Sequence, residues 1–142
     1  MSIEIHGLDN IMNKLKDLSD VRTYERAVQQ GTALVEGDAK RKAPKDTGAL
    51  RNSIASKVET QNGEIVGTVY TPLEYAPYIE YGTGLFSVKG GRTNVPWNYK
   101  DDKGVWHRTS GMKPQPFMKP ALDDNRNKIT KLIKESIDDK LS

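Results

Sequence analysis

Apolar and polar residues alternate from Ser2 to His6 through Ile3 and Ile5, which predicts a short edge strand ending at Gly7. From there the spacing changes. Leu8, Ile11, Met12, Leu15 and Leu18 recur every three or four residues, as one face of a helix does. Asp20 is placed to cap a second, longer helix with Val21, Tyr24, Ala27, Val28, Leu34, Val35 and Ala39 facing inward. Gly31 and Gly37 fall inside that helix and mark close packing or a bend. Ala43 precedes Pro44, where helical geometry is disfavoured, so the helix should finish there.

The next stretch reads as a joint. In "KRKAPKDTGALRNSI", residues 40–54, Asp46 and Thr47 lead into Gly48, with Thr47 the expected N-cap and Gly48 the tight turn. Ala49 to Ser53 then make a single helical turn, and Leu50 and Ile54, four apart, share a buried side. A hairpin comes next, with strands from Ile54 to Thr60 and from Glu64 to Thr71 about an Asn62-Gly63 turn. Pro72 ends the second strand, Leu73 to Glu80 can form a short helix, and Gly82-Thr83-Gly84 closes it. Leu122, Ile129, Leu132, Ile133, Ile137 and Leu141 outline a final amphipathic helix, expected to start at Pro120. The sum predicts an α+β fold: two N-terminal helices and one C-terminal helix on one face of a small, mainly antiparallel sheet.

Between the short helix and the last one lies a different kind of sequence. Residues 82–111 hold six of the twelve glycines, together with Phe86, Trp97, Tyr99 and Trp106. Within them "WNYKDDKGVWHRT" has the form of a second hairpin with Asp101 to Gly104 at its tip. A long segment this poor in apolar residues is more often functional than core. We therefore expect one domain over residues 1–142 with a projecting excursion at about 84–112.

Composition narrows the function. At 142 residues the chain has the length of one ordinary domain, and with 35% hydrophobic and 29% charged residues it is rather polar. It has no cysteine, which excludes disulfides and thiolate metal sites. No apolar run approaches the ~20 residues that span a bilayer, and residues 1–20 show no signal-peptide pattern, so a cytoplasmic origin is expected. The net charge of +3 is small but uneven: residues 54–83 carry one lysine against four glutamates, whereas residues 84–112 carry five basic residues against two aspartates. Opposite blocks of this kind suggest complementary surfaces.

Catalytic readings find little support. The two histidines, His6 and His107, lie far apart in the chain, and no Gly-x-Ser-x-Gly elbow is present. Glu80, among Tyr75, Tyr78 and Tyr81, has the surroundings in which a general acid could be tuned, but a glutamate that caps the following loop or pairs with a basic residue explains it better. Gly82-Thr83-Gly84 and Gly90-Gly91-Arg92 do not continue into a phosphate-loop pattern. Asp101-Asp102 beside Lys103-Gly104 reads as turn chemistry. No enzyme activity, cofactor or metal is expected. Lys89, Arg92, Lys100, Lys103 and Arg108, interleaved with Trp97, Tyr99 and Trp106, are a candidate interface. Such a set suits a protein partner or, as the alternative, a nucleic acid.

Three phrases in order, "APKDTGALRNSI" (43–54), "YAPYIEYGTG" (75–84) and "KPQPFMKPAL" (113–122), resemble the small head–tail joining proteins of long-tailed bacteriophages, called neck, tail-completion or minor tail components. The likeness spans about residues 8 to 140, and "WNYKDDKGVWHRTSG" looks like an insertion found in a subset of that family. The positions that carry it are Pro44, Asp46, Thr47, Gly48 and Leu50, then Tyr75, Ala76, Glu80, Tyr81, Gly82 and Thr83, and finally Pro116, Phe117 and Pro120. The resemblance implies a non-enzymatic subunit of a homo-oligomeric ring, placed between the head connector and the tail proteins, with genomic DNA passing through it without sequence-specific binding. It also implies assembly in the host cytoplasm and a place in the virion neck or head-proximal tail. Read from the residues themselves, Phe117 and Met118 anchor the returning chain after the extended, proline-rich approach.

Overall fold

The computed structural model describes residues 1–7, 18–45, 48–90 and 94–141. The expected helix over Leu8 to Leu15 lies outside them, as do Asp46, Thr47 and Arg92. The chain divides into two compact units: Met1–Pro72 with Phe117–Ser142, and Leu73–Pro116.

The first unit is α+β. Its elements are β1 (Ser2–His6), α1 (Leu18–Lys42), α2 (Ala49–Ser53), β2 (Ala55–Gln61), β3 (Glu64–Tyr70) and, after the second unit, α4 (Met118–Leu141). The three strands form an antiparallel sheet in the order β1-β3-β2. Asn62 and Gly63 both take positive φ, 52° and 77°, as a two-residue hairpin turn requires, and Gln61 pairs with Glu64 across it.

Helix α1 packs along α4 and across β2 and β3. Gly67, in the middle of the central strand, is what permits the approach to the sheet. A Cβ there would collide with Thr32 Oγ1 of α1, and that hydroxyl is itself bound to the Val28 carbonyl at 2.7 Å. Register puts Ile65 and Val69 on the same side as Gly67, with Ile3 and Ile5 of β1 beside them. Tyr24, Val28, Val35 and Ala39 of α1 meet this side of the core, all fully buried. Gly31 also sits at a close approach, where a Cβ would come within 3.2 Å of Ile129 in α4.

A polar contact fixes how α1 and α4 pair. Asn125 donates to the Asp38 carboxylate at 3.0 Å and to the Ala121 carbonyl at 2.7 Å, in a buried setting. Arg41 and Lys42 reach the same carboxylate at 3.1 Å each, and Lys42 continues to Asp124 at 2.9 Å. Burial alone would push the Asp38 carboxyl up. The bonds from Lys42, Arg41 and Asn125 outweigh it and hold the group below its usual range.

Some expected boundaries move. Helix α1 already includes Asp20, which is therefore helical and not its cap. The helix ends at Lys42, and Ala43 adds one last bond to the Ala39 carbonyl. The cap of α2 is Gly48 at φ 72°, with no side-chain bond, one residue beyond the expected Thr47; that left-handed turn suits glycine. Leu34 is exposed, because it lies at the margin of the buried stripe of α1. Thr32 and Asp38, absent from the expected face, are buried in it. Helix α4 starts at Met118, two residues before Pro120; a proline in the first turn costs no helical bond.

Candidate interaction surface

The second unit is built from α3 (Ala76–Tyr81), a 3-10 turn at Gly84–Phe86, and the strands β4 (Trp97–Lys100) and β5 (Trp106–Thr109). Helix α3 is shorter than the expected Leu73 to Glu80 because Pro77, inside its first turn, fixes where it begins. It ends at Gly82, whose amide bonds to the Tyr78 carbonyl at 2.8 Å.

Beyond Gly82 the main chain forms a clasp. Thr83 N–H donates to the Met112 carbonyl at 2.9 Å, Met112 N–H returns to Thr83 Oγ1 at 2.8 Å, and Leu85 N–H reaches the Ser110 carbonyl at 3.0 Å. Gly84 and Gly111 face each other at this crossing. A Cβ on Gly84 would strike the Ser110 carbonyl, and one on Gly111 would strike that of Thr83. Both have positive φ, 59° and 126°. The "YGTG" phrase is thus half of a joint whose other half, "TSGM", is not evident in the sequence until the two are seen together. Residues 85–109 leave and return through this neck.

The excursion ends in the expected hairpin. Trp97 pairs with Thr109, Asn98 with Arg108, Tyr99 with His107, and Lys100 with Trp106. Asp101 organises the tip: one carboxylate oxygen accepts from the Lys103 and Val105 amides at 2.9 and 2.8 Å, and the other from His107 Nε2 at 2.8 Å. The His107 bond foremost, and then the Val105 amide, hold this carboxyl below its ordinary value.

The unit leaves much apolar surface uncovered. Among the described residues, the large apolar side chains that stay exposed are Leu34 and nine from this unit alone, including Tyr78, Leu85, Val88, Val105 and Trp106. Isolated exposed apolar residues are ordinary, but their concentration in one small unit makes it the candidate contact surface. Leu85, Val88, Val105 and Met112 did not stand out in the sequence, since nothing in their spacing separates an exposed from a buried apolar residue.

The charged candidates divide. Lys89 lies 4.9 Å from the centre of the Tyr81 ring. Lys100, Lys103 and Arg108 are exposed and make no ion pair among the described residues. The acidic block of residues 54–83 is largely answered within the subunit: Glu59 meets Lys57 and Gln61, Glu64 meets His6, and Glu80 is only 3% exposed. Of the family-like positions, Leu50 and Phe117 are buried in the first unit, where Pro44, Gly48 and Pro120 are half-buried. Ala76, Glu80 and Gly82 are buried, Tyr81 and Thr83 half-buried, and Tyr75 and Pro116 exposed, all within the second.

Among the described residues no set of three or more His, Cys, Asp or Glu side chains is arranged to hold a metal ion, and no helix is long and apolar enough to cross a membrane.

Residues 8–82 match the family model described as "Bacteriophage HK97-gp10, putative tail-component", which covers just over half of the chain and stops at the first glycine of the neck. Neither curated proteins nor solved structures give a match. The matched span takes in the helix-to-sheet joint at 43–54 and α3, the scaffold from which the excursion departs. The chain belongs to the HK97-gp10-like family of bacteriophage tail components.

Proposed function

We propose that the protein is a non-enzymatic structural subunit of a ring that joins the phage head connector to the tail, around the passage for DNA. The family supplies the tail role. The observation that carries the finer reading is the cluster of uncovered apolar side chains in residues 73–116, Leu85 and Val88 foremost at 63% and 68% exposed. A cyclic assembly needs one patch to meet a different patch on the next subunit, and such a cluster serves as one of the two. Because the acids of residues 54–83 are mostly engaged at home, the contact is apolar first and charge-assisted second.

The structural role also fits what the family-like residues do. Gly82 and Thr83 are used in the clasp and Glu80 is enclosed. The mechanism is geometric: the core of the first unit sets the subunit's shape, the excursion contacts a neighbouring subunit or the adjoining ring, and assembly takes place in the host cytoplasm. Infection with a genome carrying a stop codon in this reading frame should yield heads and tails that fail to join. Complementation with Leu85→Ser/Val88→Ser should not rescue joining, although the variant folds. Complete virions in either case would overturn the proposal.

A further inference from the structure

The two faces of the β4–β5 ribbon differ in kind. Register places Trp97, Tyr99, His107 and Thr109 on one, where Tyr99 stacks on His107 with ring centres 5.1 Å apart. The other carries Asn98 opposite Arg108 and Lys100 opposite Trp106. Trp106 is 67% exposed, with one cation directly across the ladder and a second two residues along its own strand. Neither cation has an acidic partner among the described residues, and the Asp101 carboxylate is taken up by the tip amides and His107, so it does not neutralise this face.

An indole flanked in the ladder by two cations that make no ion pair among the described residues restricts the partner. A uniformly acidic protein surface would satisfy the cations and leave the indole in water. An apolar surface would cover the indole and desolvate unpaired charges, which is costly. Within residues 54–83 of a second copy, Glu59 and Glu64 are already engaged and Glu80 is enclosed, which leaves Glu74 as the exposed acid of that block. An unpaired base between two phosphates satisfies all three groups at once, because every base has a face on which an aromatic ring can stack.

We propose that the Asn98–Lys100–Trp106–Arg108 face binds single-stranded nucleic acid, with Trp106 stacked on a base and Lys100 and Arg108 on the flanking phosphates. This goes beyond the joining role and does not depend on it, because one subunit carries the whole face. A duplex, whose bases are already stacked, satisfies the cations but not the indole.

The test uses the full chain and a fluorescein-labelled oligothymidylate at low salt, read by anisotropy. Binding should weaken with salt at a slope of about −1.4 in log–log form, for two phosphates on a single strand. Trp106→Ala should weaken it by about tenfold, and Lys100→Glu/Arg108→Glu should abolish it. Lys128→Glu/Lys134→Glu, the same charge change on exposed positions of α4, should leave it intact. In Trp97→Phe, where Trp106 is the remaining indole of the two, its emission should be quenched at saturation. Absence of binding, unquenched emission, equal affinity for a duplex of the same length, full competition by polyglutamate, or an equal loss from the α4 variant would each overturn the proposal. A chain that binds the oligonucleotide yet leaves heads and tails apart would separate this inference from the joining role.

Discussion

Phe117 shows how much a single side chain can carry. It is fully buried at the point where the chain re-enters the first unit, after a run that contains Pro114 and Pro116. Truncating a buried aromatic removes its transfer energy and leaves a cavity, so Phe117→Ala should cost ~3–5 kcal/mol. Chemical denaturation would read this directly, and an unchanged midpoint would contradict it. His6 makes a different kind of prediction. Its two ring nitrogens face Glu64 at 3.0 Å and Glu4 at 2.9 Å, a geometry that suits the doubly protonated ring. The Glu64 bond first, and then the Glu4 bond, raise its pKa above the ordinary histidine value. A group raised on folding stabilises the fold fully below its unfolded pKa, and that contribution is lost as pH rises through the folded one. Stability should therefore fall slightly on going from acid to alkaline through the histidine range, and His6→Gln should remove that slope. An NMR titration placing His6 at or below the free-histidine value would refute this.

At the scale of elements, success in reading the sequence followed how local the cause was. Asn62-Gly63 specified its turn from two residues, and Ala43-Pro44 ended α1 from two more. The stripe of Ile129, Ile133 and Ile137 likewise settled α4 over its described side chains. The misplaced features depend on distant partners. Thr32 is buried because its hydroxyl bonds within its own helix and fills the space that Gly67 leaves on another element. Asp38 is buried because Asn125 meets it from 87 residues away. Neither pairing has a periodicity to betray it. The Gly67–Thr32 fit is testable. Gly67→Val should overpack the α1–sheet interface and destabilise by ~1–3 kcal/mol or more, and adding Thr32→Ala should recover part of the loss. Equal stability of wild type and Gly67→Val in thermal melts would show that α1 does not rest against the strand there.

For the molecule as a whole, the α+β architecture was legible because binary patterning and turn residues agree over residues 18–72 and 118–137. The candidate surface was only half legible: basic and aromatic residues pointed to it, whereas the exposed apolar side chains beside them became visible only through their exposure. The neck allows a test of how separately the two proposed functions are housed. Leu85 and Ser110 are already hydrogen-bonded at 3.0 Å, so replacing residues 87–108 by a linker of about six glycines closes a gap that is nearly closed. Loop entropy favours the shorter chain by about 1 kcal/mol. The shortened protein should melt cooperatively at or slightly above the wild-type temperature, while losing association and oligonucleotide binding together. A collapse of the melting transition would mean that the excursion is part of the folding core.

The crossing of Gly84 over Gly111 involves main chain on both sides, so it places no demand on the side chains that lie between. Whatever sequence fills that stretch can drift, lengthen or be exchanged wholesale while the frame beneath it stays under selection for shape. Relatives built on the same frame should accordingly differ most in this cassette, and grafting one onto another should transfer its choice of partner intact.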